Sequence, residues 1–250
     1  MTLVLGAMDG ELEAVIRGMT VGMRSEWRGF RFAQGSVAGV PVVVSRTGAG
    51  KTLSAMVTGY MINRFRPRRI LCVGLAGALR DDLEVGDVVV ARDTIQHDVD
   101  ASACGFAPGR IPGTGYRELA CDPLMLAVAR AIDPPQGRAI CGRVLTGDRF
   151  VDDPGERAAL ARDFGGDAVE MEGASIGLVA TVHEIPYLVI RTISDVATGG
   201  ASGSASGAPV PREDLRAGLS AALCHAGANS WHYVRGMLEA LRGEGEQTRL

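Results

Sequence analysis

Acidic side chains stand where two short apolar runs give out. Ala168-Val169 leads into Glu170-Met171-Glu172-Gly173-Ala174, and Tyr187-Leu188-Val189-Ile190 leads into Arg191-Thr192-Ile193-Ser194-Asp195. Between them, Ile176 to Pro186 is first helix-like and then turn-like. In open α/β sheets the carboxyl ends of the strands line the ligand crevice. Carboxylates brought to one crevice by neighbouring strands point to acid–base chemistry more than to a fold.

The elements needed to place those acids are legible along the chain. Strands are expected at Thr2 to Leu5, Phe30 to Ser36, Val40 to Arg46, Ile70 to Val73, Asp87 to Ala91, Ala139 to Thr146 and Tyr187 to Ile190. The turn Ala38-Gly39 separates the second and third. Helices fit Asp9 to Arg17, Lys51 to about Phe65, Pro123 to Ala131, Pro154 to Phe164, Glu172 to His183 and Arg212 to about Leu241. Strands alternating with helices predict an α/β fold, a single-domain three-layer α/β/α sandwich with a central mixed sheet over residues 1–243.

Bulk properties narrow the function. The chain has 250 residues and no evident linker, with 46% hydrophobic and 22% charged residues, ordinary for a protein with a sizeable core. A net charge of −3 offers no electrostatic case for nucleic acid or a membrane surface. Cys72, Cys104, Cys121, Cys141 and Cys224 are scattered, odd in number and without CxxC spacing, which argues against a disulfide framework or a zinc site. No apolar run reaches membrane-spanning length and no signal peptide precedes Leu3-Val4-Leu5, so a cytoplasmic protein is expected. Gly199 to Ala208 holds only Gly, Ala and Ser and reads as a mobile loop; the polar tail 244–250 reads as frayed.

Nine segments in order carry a family resemblance. They are Gly6-Ala7-Met8-Asp9-Gly10-Glu11, Thr47-Gly48-Ala49-Gly50-Lys51, Gly74-Leu75-Ala76-Gly77, Val85-Gly86-Asp87, His97-Asp98-Val99-Asp100, Pro112-Gly113, Thr146-Gly147-Asp148-Arg149-Phe150-Val151, Val169-Glu170-Met171-Glu172-Gly173 and Arg191 to Ala197. Together they resemble the purine nucleoside phosphorylase superfamily, most closely its 5′-methylthioadenosine/S-adenosylhomocysteine nucleosidases.

Breaking a ribose–purine bond builds positive charge on the sugar and negative charge on the departing base. The resemblance implies that Asp195 is the acid that neutralises the base near N7, and that Glu11 orients and deprotonates water. It gives Glu172 the ribose hydroxyls, with Met171 packed under the sugar, and Phe150 a stack on the base, whose edge meets the Val151 backbone. It also implies that Arg191 and Ser194 tune the carboxylates and position water, whereas Glu170 is expected to be structural. To act as an acid Asp195 needs a nonpolar or hydrogen-bonded setting that favours its protonated form. The resemblance further implies that Met8, Ala49 and Met171 line the pocket for the 5′ substituent and that a second subunit of a homodimer completes it through Ala101, Cys104 and Pro112. Cys104 stands where an aromatic is common, leaving room for a bulkier or more polar substituent.

Gly48-Ala49-Gly50-Lys51-Thr52 fails the phosphate-loop spacing because Ser45, not a glycine, stands at the first glycine position; a glycine turn before a helix fits better. No further His accompanies His97-Asp98-Val99-Asp100, so inter-segment hydrogen bonding is expected there rather than a metal, and no cofactor is implied. Phosphorylases need cations and a hydroxyl near the glycine turn, where this chain has Cys72 and Leu75, and Glu11 repels a dianion, so hydrolysis is expected. Leu75 replaces the usual serine and Ala78 a common glycine, which leaves a weakened, nucleoside-binding protein as a rival. Futalosine-type or adenosylated-lipid nucleosides, a phosphate-dependent phosphorylase, and adenine against hypoxanthine as the base stay open.

Overall fold

The computed structural model describes residues 1–196 and 212–242, side chains of 212–221 excepted. In chain order its elements are β1 (Thr2–Gly6), α1 (Asp9–Gly18), β2 (Thr20–Trp27), β3 (Phe30–Val37), β4 (Val40–Arg46), α2 (Lys51–Phe65), β5 (Arg69–Ala78), β6 (Val88–Gln96), β7 (Leu119–Ala120), α3 (Pro123–Arg130), β8 (Ala139–Thr146), α4 (Pro154–Phe164), β9 (Ala168–Glu170), α5 (Gly173–Val182), β10 (Tyr187–Asp195) and α6 (Arg212–Ala240).

Continuous aliphatic runs place the central strands. Leu3 to Leu5, Val42 to Val44, Ile70 to Val73 and Val88 to Val90 are all buried, as expected of strands covered on both faces. Each such side chain contributes about 1.5–3 kcal/mol on leaving water. The mixed sheet has β1 parallel between β4 and β5, and β10 parallel to β5 on its other edge. Beyond β4, β3 and β2 continue antiparallel; Ala38 (φ 49°) and Gly39 (φ 77°) make the left-handed turn joining β3 to β4. At the other end the order β10, β6, β8, β9 returns to β5, so five strands form a closed circuit. Helix α6 packs on α1 and α3, and α2 on α5, covering the sheet.

One feature of β5 prepares the site. Its first residues, Arg69 to Cys72, pair with β1, and its last two, Gly77 and Ala78, pair with β9. Along Val73 to Ala76 that edge lies between its two ladders, while β10 stays paired on the far side.

Several boundaries differ from expectation. β5 and β10 run on through Gly74–Ala78 and Arg191–Asp195, where small and polar residues end the aliphatic signal. The strand expected at Asp87 to Ala91 runs on as β6 to Gln96. β2 is an edge strand, largely exposed and without apolar alternation, so its pattern gave no cue. Gly199 to Ala208 and the tail 244–250 lie outside the described residues. Among the described residues no helix is long and apolar enough to cross a membrane.

Candidate active site

After β1 the chain turns through Ala7 and Met8 into α1, which puts Glu11 in the first helical turn. Its carboxylate accepts from Met8 N at 2.8 Å, as in a capping box, and from Leu75 N at 2.9 Å. The second bond fills the gap between ladders on β5. Glu11 is 2% exposed, and burial raises its pKa, with the Arg191 charge and the backbone donors pulling the other way.

β9 ends in Glu170, and Glu172 is the N-cap residue of α5. Glu170 is spent on structure. It accepts from the backbone of Glu172 and Gly173 at 2.8–2.9 Å and from the Thr146 hydroxyl, and it pairs with the Arg191 guanidinium. Glu172 is less committed: Oε1 accepts from Gly50 N at 2.9 Å, and Oε2 lies 3.6 Å from Arg191. Gly50 sits at φ 92°, where a side chain would be strained and its Cβ would fall 2.9 Å from Asp148 Oδ1. Lys51 locks this turn, donating from its backbone to Asp148 at 2.7 Å and from Nζ to Asp98 at 2.6 Å. Asp98 also accepts from Asp148 N, so the His97–Asp100 run makes inter-segment bonds.

Glu11, Glu170 and Glu172 surround one guanidinium, so three full negative charges would face a single positive one. Glu172 bears the consequence: burial first, and the Glu170 charge second, push its pKa up to about 8. Burial opposes the charge on Arg191, but Cys72, Glu170, Glu172 and Glu11 together raise its pKa above the usual guanidinium range. Cys72, whose sulfur accepts from Arg191 at 3.4 Å, is pushed up to about 12 by burial.

Asp195, the last residue of β10, is 4% exposed. Oδ1 accepts from the Ser194 hydroxyl at 2.5 Å, and Oδ2 pairs with the guanidinium of Arg157. In the sequence Arg157 has no mark beyond its place in the helix Pro154 to Phe164. It comes from 38 residues away in the chain, and no local pattern joins it to Asp195. Both carboxylate oxygens of Asp195 are thus engaged, one by a hydroxyl and one by a guanidinium.

These groups enclose a cavity of about 210 Å³. Glu11, Glu172 and Asp195 all line it, as do Met8, Ala49, Phe150, Val151, Met171 and Ser194. Phe150 is 60% exposed, its ring at the mouth. Leu75, Ala76, Gly77, Val169, Glu170 and Arg149 add wall that sequence reasoning had not assigned to it. Arg191 does not reach the cavity. It is fully buried behind Glu170, paired with that carboxylate and 3.6 Å from Glu172, where its charge acts on both. Leu75 keeps its backbone bond to Glu11 and packs its side chain with Met8, Ala222, Leu223 and Ala226, tying α6 to the site. Ala78 is buried on β5 outside the lining. Cys104 and Pro112 are exposed and Ala101 half-buried on the segment after β6, and none lines the cavity of this single chain. Among the described residues no group of three His, Cys, Asp or Glu is placed to hold a metal ion.

The family model described as the phosphorylase superfamily matches residues 2–228. The chain belongs to the phosphorylase superfamily. Among its superfamily relatives, the 5′-methylthioadenosine/S-adenosylhomocysteine nucleosidase of Treponema pallidum is 38% identical over 218 residues, covering 78% of this chain and 81% of that one. That of Aeromonas salmonicida is 35% identical over 197 residues, covering 78% and 85%. Among solved superfamily structures, the same enzyme from Neisseria meningitidis, in complex with methylthio-immucillin-A, superposes with a TM-score of 0.83 at 28% identity over 96% of this chain and 99% of that one. Futalosine hydrolase of Helicobacter pylori superposes with a TM-score of 0.81 at 26% identity over 96% and 97%.

Proposed function

We propose that this protein hydrolyses the N-glycosidic bond of a 5′-modified purine nucleoside, of the 5′-methylthioadenosine or S-adenosylhomocysteine type, and releases the purine base. The observation that carries the reading is the convergence of Glu11, Glu172 and Asp195 on one largely apolar cavity. Asp195 protonates the base at N7, Glu11 orients water and takes its proton, and Glu172 grips the ribose hydroxyls. Met171 lies under the sugar, Phe150 covers the base, Val151 meets the base edge through its backbone, and Met8 and Ala49 flank the 5′ group. Ser194 steadies Asp195, with its hydroxyl on Oδ1.

Water is the nucleophile. The buried Glu11 repels a phosphate dianion, and Arg149, the one cation in the lining among the described residues, is already 2.5 Å from Glu156. Adenine release from a panel of 5′-substituted adenosines, with and without phosphate, tests this. The rate stays the same without phosphate, and a strict phosphate requirement overturns hydrolysis. A futalosine-type substrate is the second reading, favoured by the likeness to the Helicobacter pylori futalosine hydrolase, and hypoxanthine release from futalosine distinguishes it.

The working unit is a cytoplasmic homodimer of a single domain (residues 1–243), with Ala101, Cys104 and Pro112 of one subunit closing the 5′ end of the other's cavity. Light scattering then gives a dimer mass, and a fully active monomer contradicts it.

A further inference from the structure

Arg157 sits in the first turns of α4 and is 2% exposed. Its donors have few destinations. Nε and Nη2 donate to the Val151 carbonyl at 3.2 and 2.9 Å, and Nη1 to the carbonyls of Ala78 and Asp195, both at 3.4 Å. Nη2 also meets Oδ2 of Asp195. Among the described residues no other carboxylate pairs with this guanidinium, whereas Arg191 is divided between Glu170 and Glu172. Burying a guanidinium is costly, and bracing backbone carbonyls needs only neutral donors. The charge is therefore explained by the one carboxylate it touches. Gly77 makes room for the pair: a Cβ there would lie 3.2 Å from both Arg157 Nη2 and Asp195 Oδ2.

We propose that Arg157 is the positioning residue of the general acid, holding Asp195 Oδ2 from behind the cavity wall and stabilising the negative charge left there once Asp195 has given up its proton. This rests on the purine-nucleoside reading of the site. With Oδ2 committed to Arg157, Oδ1, beside the Ser194 hydroxyl, is the oxygen that carries the proton into the cavity.

In the reaction the O–H bond of Asp195 breaks and an N–H bond forms at purine N7. The electron pair of the C1′–N9 bond leaves with the base, water oxygen bonds to C1′, and the proton that water loses passes to Glu11. Return of one proton from Glu11 to Asp195 through solvent resets the site, so nucleoside and water give sugar and neutral base. Arg157 takes part by charge alone: the carboxylate formed in the transfer is already paired. The same guanidinium ties that carboxylate to the Val151 carbonyl, so acid and base edge keep a fixed spacing.

The test uses two leaving groups. A purine needs protonation to depart, whereas 4-nitrophenolate leaves without an acid. In R157M, kcat for a 5′-methylthio purine nucleoside falls about 10–100-fold with KM within about threefold, a loss of the size expected when one general-acid contribution is weakened. The kcat for the matching 4-nitrophenyl riboside stays within about threefold, and R157K restores most of the purine rate. The ratio of the two kcat values is the readout in every soluble variant, so R157K alone serves if R157M does not fold, with a ratio a few-fold below that of the wild type. An unchanged ratio overturns the role of Arg157, whether both rates fall together or neither moves. A wild-type protein that cleaves no purine nucleoside overturns the site reading instead.

Discussion

Replacing Glu172 by Gln separates the charge of that side chain from its shape. Gln keeps an oxygen for the Gly50 N–H, which Glu172 Oε1 now accepts at 2.9 Å, and removes an ionisable group whose pKa is pushed from 4.5 up to about 8 by burial and by Glu170. The folded protein retains a proton there that the unfolded chain gives up above pH 4.5, so the stability conferred is full below that pH and is lost as pH rises through about 8. Between pH 6 and 8 the loss runs at about 1.4 kcal/mol per pH unit, roughly 3 kcal/mol in all. For a chain of this size that is a fall in Tm of roughly 5–10 °C. Wild type and E172Q, unfolded thermally at pH 5, 6, 7, 8 and 9, should therefore have similar Tm values at pH 5 and diverge towards pH 9, with E172Q the more stable. Glu11 titrates in both proteins, so the difference between them isolates residue 172. A difference that does not change with pH refutes the reasoning that the excess negative charge is relieved by a proton held on Glu172.

Three further outcomes follow from the same geometry. G74A places a Cβ 2.2 Å from Arg191 Nη1 and 2.5 Å from Glu11 Oε1, both buried, and should cost about 1–3 kcal/mol in denaturant unfolding along with most of the turnover. E11Q keeps an acceptor for Leu75 N and should leave Tm within a few degrees while kcat drops about 10²–10⁴-fold; near-normal kcat removes Glu11 from water activation. F150A loses a ring at the cavity mouth and should raise KM about tenfold, as expected for an aromatic stack of about 1.4 kcal/mol, with kcat little changed.

The sheet was legible wherever aliphatic runs made it. Val42 to Val44 and Ile70 to Val73 are strands on pattern alone, and the helix expected at Pro154 to Phe164 has the bounds of α4, set by Pro154 at its start and Gly165 beyond its end. The second halves of β5 and β10 were not, because residues there answer to the site: Gly74 yields space to Arg191 and Glu11, and Asp195 pairs with Arg157. Glu11, Glu172 and Asp195 became a set through the order of nine short motifs; composition alone marks none of them. Arg157 and the inward placement of Arg191 escaped because burial and pairing across the fold leave no trace in local spacing.

Where β5 changes neighbours, the backbone amide of Leu75 would be left over, and the carboxylate of Glu11 receives it. The fork in the sheet is thereby mended by a side chain that also lines the cavity. Shortening that side chain to alanine would disable the enzyme and unzip the fork at the same time. Faster hydrogen exchange at the two amides it receives, those of Met8 and Leu75, would report the lesion before any assay of turnover.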